Sequence, residues 1–417
     1  MDAGASGAAD GEPPLISAVR AGDTVLVKSL LQEDSGPDVL NAAFSLAVRM
    51  SAGIMAQLLL QNGADPGQSR QDELLSLREA VDSGSPALVE ALLDSRIRGR
   101  HGESTLLEMR DLARCWYERG VETELRRLTG SQDPLVRNRV QDDDYDSVDE
   151  YSLGEMTVRD GHAAILMHLE GLLGIRTTFE TLMARALNHD KDHAVWGNAT
   201  IILANRRDQA TWTAAAALRA HSEPSHRLFG AEVLRLTHLF DNSDEDAFAG
   251  PALDLFTDWS TREEDRAVLT EVLVALGEHC DSRAVAALVA YAGHADAGVR
   301  RAVARGFGTW PKAPAFLIDV REALLVLMTD MDTVVRCAAC LTVAESGDRD
   351  PALAHAMAAL LDDADRRVQV TAVYGLALHD DERCVEAARR LPPAPPGTPR
   401  EDELDAVWRY EWRRDGH

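Results

Sequence analysis

Lysine is nearly missing from this 417-residue chain, with Lys28, Lys191 and Lys312 the only copies among 43 basic residues. Acid outweighs base by 69 residues to 43, for a formal net charge of -26. A surplus of that size repels a nucleic-acid backbone and an anionic membrane surface, so tight unassisted binding to either is not expected. Cysteine is sparse as well. Cys115, Cys280, Cys337, Cys340 and Cys384 form an odd-numbered set in a long chain, which reads as reduced core thiols and not as a disulfide framework. Long apolar runs are missing too, since stretches such as Ile54–Leu60 and Ala284–Ala292 stop at Gln, Gly or His. No membrane-spanning helix is therefore expected. The opening MDAGASGAADGEPP lacks the basic and apolar segments of a secretory signal, so residues 1–14 are expected to be a disordered lead and the protein cytoplasmic.

Catalytic signatures are also missing. There is no G-x-S-x-G elbow, no phosphate-cradling G-x-x-x-x-G-K-[ST] and no H-E-x-x-H. The pair Gly306 and Gly308 continues as GTWP, which reads as a helix C-cap and not as a dinucleotide loop. No enzymatic activity, cofactor or metal is expected from these motifs. What the chain has is a 45% hydrophobic content, enough for a large core, and internal repetition.

The leucine pairs Leu30-Leu31, Leu59-Leu60 and Leu92-Leu93 are separated by 29 and 33 residues, and Ala18, Ala47, Ala80 and Ala113 keep the same step. Each alanine precedes its leucines by the distance from one helix to its antiparallel neighbour, which predicts helix pairs. Segments such as LISAVRAGDTVLVKSLL (15–31) and LREAVDSGSPALVEALL (77–93), with GADP at 63–66, resemble ankyrin repeats over residues 15–130, although no copy has the Thr-Pro-Leu-His opening. Further along, Asp296 with Val299-Arg300, Asp332 with Val335-Arg336 and Asp365 with Val368 recur at 36 and 33 residues. Asp caps the free amides of a first turn and the aliphatic residue enters the core three positions later. This pattern resembles HEAT-type repeats over 131–391. Weaker copies are placed at Asp133 with Val136-Arg137, Asp192 with Val195, Ser225 with Leu228 and Asp265 with Val268. The expected fold is all-α: an α-solenoid of stacked antiparallel helix pairs, ankyrin-like and then HEAT-like, with no β pattern of useful length. A Pro-rich linker (392–400) leads to an amphipathic capping helix (401–417) with Leu404, Trp408 and Trp412 on one face.

Two groups of residues are candidates for partner binding. DDDYDSVDEY, within the acidic insertion at 141–152, packs six acids and two tyrosines together and reads as a solvated loop, or as a finger for a basic partner. In the second case Asp142, Asp143 and Asp144 supply charge and Tyr145 and Tyr151 act as aromatic anchors. Arg300, Arg301, Arg305, Arg336, Arg366 and Arg367 gather at the starts of the later helices. They read as a structural ladder to neighbouring Asp residues, which the HEAT resemblance implies, or as a basic strip that attracts an anion. Arg300, Arg301, Arg336 and Arg367 are the first of these to test. His189 and His193 in HDKDH read as an inter-helix turn and not a metal site, and Cys337 and Cys340 as core thiols. His162 and His168 read as partly buried fillers of an apolar helix.

These observations favour a non-enzymatic protein-interaction scaffold or adaptor whose partner is a protein with a basic face. An immunity or antagonist protein, its acidic surface standing in for nucleic-acid phosphates, is a sharper alternative. A third reading, a HEAT-like enzyme or maturation factor, requires a pocket in which a carboxylate of raised pKa faces tryptophans such as Trp196, Trp212, Trp259 or Trp310. The bias of Arg over Lys, with abundant Ala, is of the kind a GC-rich bacterial genome produces.

Overall fold

The protein is seen in a computed structural model that describes residues 12–32, 35–65, 70–93, 101–240, 247–279, 281–308, 315–392 and 402–414. Most of the lead at 1–14, the linker after Pro392, Cys280 and Trp310 lie outside the described residues. The fold class is all-α, an α-solenoid of stacked helix pairs, with one small antiparallel sheet inserted. No helix is long and apolar enough to cross a membrane among the described residues. The chain divides into two compact units, Met1–Ile202 and Leu203–His417.

In the first unit the helices come in pairs: Pro14–Ala21 with Thr24–Leu30, Pro37–Arg49 with Gly53–Gln61, Arg70–Ser83 with Pro86–Leu92, and Glu103–Arg119 with Val121–Thr129. The small residues that set the period are the reason the pairs close up. Ala18, Ala47, Ala80 and Ala113 are all at most 2% exposed and share one core with Leu59, Leu92 and Leu93. Alanine lets neighbouring backbones approach, and the leucines fill the space between them.

The fourth pair is followed by strands and not by another helix. β1 (Val136–Gln141), β2 (Ser147–Leu153) and β3 (Met156–Arg159) form an antiparallel sheet in the order β1-β2-β3. This corrects two expectations: Asp133 with Val136-Arg137 does not open a HEAT helix, and DDDYDSVDEY is not a loop. Its first half is a hairpin turn and its second half lies in β2. Val140 faces Val148, Arg139 faces Asp149 and Arg137 faces Tyr151 across the strands. β1 is exposed nearly throughout, and in β2 a charged residue, Asp149, takes a buried site. Val148, Asp149 and Leu153 are each buried, Val148 on the face opposite the other two, and Asp149 accepts from both Arg137 and Arg139, which are two apart and so share a face. The end of β3 presses on the turn after helix Arg70–Ser83. Gly84 has φ of +70°, and a Cβ there would lie 1.9 Å from the Arg159 carbonyl oxygen, so only glycine fits.

The second unit repeats a stiffer plan. Its helix pairs include Ala249–Ser260 with Arg266–Glu278, Ser282–Ala290 with Ala297–Gly306, Ile318–Leu327 with Thr333–Glu345, and Pro351–Ala359 with Arg366–Leu378. Asp265, Asp296, Asp332 and Asp365 each accept backbone amides of the turn that follows, and Val268, Val299, Val335 and Val368 are fully buried three positions on. Successive second helices pack on one another. Where Arg266–Glu278 meets Ala297–Gly306, a Cβ on Gly277 would lie 2.5 Å from Gly306 Cα, so Gly306 allows a helix contact as well as ending its helix. The last helix, Asp405–Arg414, packs through Ala406, Val407 and Tyr410. Trp408 and Trp412, expected on its packed face, are 64% and 49% exposed.

Candidate interaction surfaces

The arginines at the helix starts divide into two kinds. Arg300 donates from Nε and Nη2 to the Asp330 carboxylate at 2.6 and 2.8 Å, and from Nη1 to the carbonyls of His294 and Ala295. Arg336 repeats this one unit later, onto Asp363 at 2.7 and 2.9 Å and onto the Asp330 and Met331 carbonyls. Asp330 and Asp363 also accept the amides of Asp332 and Asp365, so each carboxylate joins two repeats and fixes a cap. The arginine hydrogen bonds hold both carboxyl groups below their ordinary range. These two arginines serve the fold as a ladder. At two equivalent turns a histidine replaces the acid: His221 Nδ1 accepts from Glu223 N and His294 Nδ1 from Asp296 N, both at 3.1 Å.

Arg301, Arg305 and Arg367 are of the other kind. Among the described residues none of them makes an ion pair or a side-chain hydrogen bond. Arg301 and Arg305 are one turn apart on helix Ala297–Gly306, and Arg305 and Arg367 are exposed. The helix between theirs, Thr333–Glu345, carries Val334, Cys337 and Leu341 at one-turn spacing; Val334 is 50% and Leu341 36% exposed. Cys337 Sγ lies 3.4 Å from Thr371 Oγ1, which in turn donates to the Arg367 carbonyl oxygen. The Arg305 guanidinium is lowered from its ordinary pKa, first by partial burial and then by the positive charge of Arg301, with Arg367 adding to it.

The acidic hairpin is mostly committed inward. Asp142, 3% exposed, accepts from Ser85 Oγ at 2.6 Å, Ala87 N at 2.8 Å and Arg159 Nη1 at 2.9 Å. Ser85 is the N-cap of helix Pro86–Leu92, so the carboxylate also closes that helix end. Burial pushes the Asp142 carboxyl group up, and Ser85, Ala87 and Arg159 pull it back. Asp143 Oδ1 accepts the amides of Tyr145 and Asp146, the self-bonding that makes Asp a turn residue. Asp146 is raised to about 6 by burial and then by the charges of Asp143 and Asp142. Asp144 and Tyr145 are left at the tip, Tyr145 being 90% exposed. Tyr151 is half-buried with the Arg137 guanidinium 5.5 Å above its ring. The expected finger of five residues is reduced to a tip of Asp143, Asp144 and Tyr145, with Asp142 as a buried anchor.

One donor cluster is closer than the sequence suggested. Single donor atoms of Asp160, His189 and His193 lie within 4.8 Å of one another. Yet His193 Nδ1 accepts from Val195 N at 3.1 Å, which places its proton on Nε2, and Nε2 lies 2.8 Å from Asp160 Oδ1. In that tautomer His193 donates to Asp160 and has no lone pair left for a metal. The ring caps helix Ala194–Ala204 as His221 and His294 do their own turns. His189 stacks on it at 3.9 Å and is lowered to about 4, by burial and then by His193. Of the C-x-x-C pair, Cys340 is fully buried, which raises its pKa, whereas Cys337 faces the arginine group. Arg305 stood in the arginine group of the sequence but not among the residues to test first, and it lies in the last turn of its helix, one turn from Arg301. Asp160 was not legible as the partner of His193, from which it is 33 positions away.

Residues 286–377, which hold the ladder and the unpaired arginines between them, match the family of HEAT repeats. Among solved structures, the X-ray structure of YibA from E. coli aligns at 16% identity, covering 55% of this chain and 80% of that one, with a TM-score of 0.45. No curated protein matches the chain.

Proposed function

We propose that the protein is a non-enzymatic, cytoplasmic protein-interaction scaffold. One observation carries the reading: in the HEAT-matching section, Arg300 and Arg336 are consumed by the fold while, among the described residues, Arg301, half-buried, and Arg305 and Arg367, exposed, meet no acid. Repeat solenoids offer extended surfaces assembled from many equivalent helices, and such surfaces suit protein partners. The net charge of -26 favours a partner with a basic face, because complementary potentials speed encounter and suppress wrong pairings. The contact for it in the first unit is the hairpin tip, where Asp143 and Asp144 offer charge and Tyr145 an exposed ring.

Affinity purification of the tagged full chain from its host at low and moderate salt, with intact-complex mass spectrometry, tests this. A stoichiometric protein retained at low salt and released as screening rises is the expected result. Recovery of the chain alone at both salts would overturn the scaffold reading. A retained partner whose binding is unchanged by Asp143→Arg with Asp144→Arg and Tyr145→Ala would remove the hairpin tip from the interface.

A further inference from the structure

Among the described residues most arginines are paired. Across the second unit, arginines at repeat junctions meet acids: Arg227 with Glu263, Arg235 with Glu271, Arg300 with Asp330, Arg321 with Asp348, Arg336 with Asp363. The acids beside the Arg301 group are occupied. Asp296, Asp332 and Asp365 cap their helices, and Asp330 and Asp363 belong to the ladder. Three like charges with no counter-ion among the described residues, on a chain with an excess of 26 negative charges, make a local positive field that these residues do not use.

We propose that Arg301, Arg305 and Arg367, arranged about the Val334–Cys337–Leu341 stripe, form a docking face for an acidic segment of a partner protein that carries an apolar anchor. The stripe has two exposed aliphatic side chains and a half-buried thiol, so it offers an apolar side chain a place to settle. Guanidinium forks match carboxylates in two-bonded geometry, and none of these three forks has another partner among the described residues. Short acidic segments suit the face better than nucleic acid, whose long run of phosphates meets the repulsion of the whole chain. The inference rests on the scaffold reading and adds a surface of opposite sign to the hairpin tip.

The test is fluorescence anisotropy of the full chain with a short labelled peptide in which glutamates flank a leucine pair. Binding that weakens as salt rises is expected, and Arg301→Glu/Arg305→Glu/Arg367→Glu should weaken it by about tenfold or more. The milder triple change to Gln should weaken it less, and Arg262→Glu, 72% exposed elsewhere in the unit, should leave it unchanged. Equal peptide affinity for the wild type and the triple Glu variant, both with the same circular dichroism and melting, would overturn the proposal. So would equal weakening by Arg262→Glu, or tighter binding of a single-stranded oligonucleotide of matched length. In the purification experiment, a partner kept by the triple variant overturns this face alone, whereas a wild-type chain that captures no partner overturns the scaffold reading alone.

Discussion

Arg300 holds Asp330 with both ends of its guanidinium fork, thirty positions along the chain, and both side chains are nearly out of solvent at 11% and 9% exposure. Removing one member leaves the other as a buried charge without its partner. Asp330→Ala is expected to cost about 3 kcal/mol, measured as a shift in urea midpoint, and Arg300→Met with Asp330→Leu to cost less than the single change. The same holds for Arg336 and Asp363. A double change that costs the sum of the two single ones would show that the pair is not coupled.

Asp142 should behave as a structural residue. Its carboxylate is the common acceptor of Ser85, Ala87 and Arg159, so Asp142→Ala takes the acid from a buried guanidinium and the acceptor from the Ala87 amide, leaving Ser85 to cap the helix alone. The expected loss is about 3 kcal/mol, with faster hydrogen exchange in the strands at 136–159. Asp144→Ala, at the exposed tip, should leave both unchanged. Equal effects at the two positions would contradict the hairpin geometry.

Gly277→Ala places a methyl group 2.5 Å from Gly306 Cα, with only backbone there to move. Overpacking of this kind costs about 1–3 kcal/mol, and the second unit should melt earlier while far-ultraviolet circular dichroism keeps its helical form. A neutral Gly277→Ala would mean that the two helices do not approach so closely.

Acid should weaken the first unit through His162. The ring is fully buried against Trp116 at 4.8 Å, and burial lowers its pKa to about 4 from an ordinary 6.5. Above pH 6.5 both folded and unfolded chains leave it neutral, so stability is full there. As pH falls from 6.5 to 4 only the unfolded chain gains the proton, and stability drops by up to roughly 3 kcal/mol. His189, lowered to about 4 as well, adds to the loss in the same window. Denaturation midpoints from pH 7.5 to about 4.5 should fall for the wild type and fall less for His162→Phe. Identical slopes would show that His162 is protonated in the fold.

Sequence periodicity was enough for the helix pairs because each pair buries its own stripe against its neighbours. Ala18, Ala47, Ala80 and Ala113, and Val299, Val335 and Val368, stand in the core where their spacing put them. The sheet was hidden for the same physical reason. Strands show in a sequence when apolar residues alternate, and here β1 is exposed and polar while Asp149 fills a buried position of β2, neutralised by Arg137 and Arg139. The C-terminal helix differs in another way: its periodicity points to Leu404, Trp408 and Trp412 as the packed face, but the residues it buries are Ala406, Val407 and Tyr410.

The sequence by itself determined the all-α repeat plan, the capping aspartates and the excess of negative charge, because these follow from local spacing and composition. Only the tertiary structure decided what each charge does. Arg300 and Arg301 are adjacent and chemically identical, yet one points between repeats to Asp330 and the other meets no acid among the described residues. Asp142 and Asp144 differ in the same way, one closing a helix end from 55 residues away and the other facing water. A charged side chain takes its role from the groups that surround it after folding, and residues distant in sequence supply those groups.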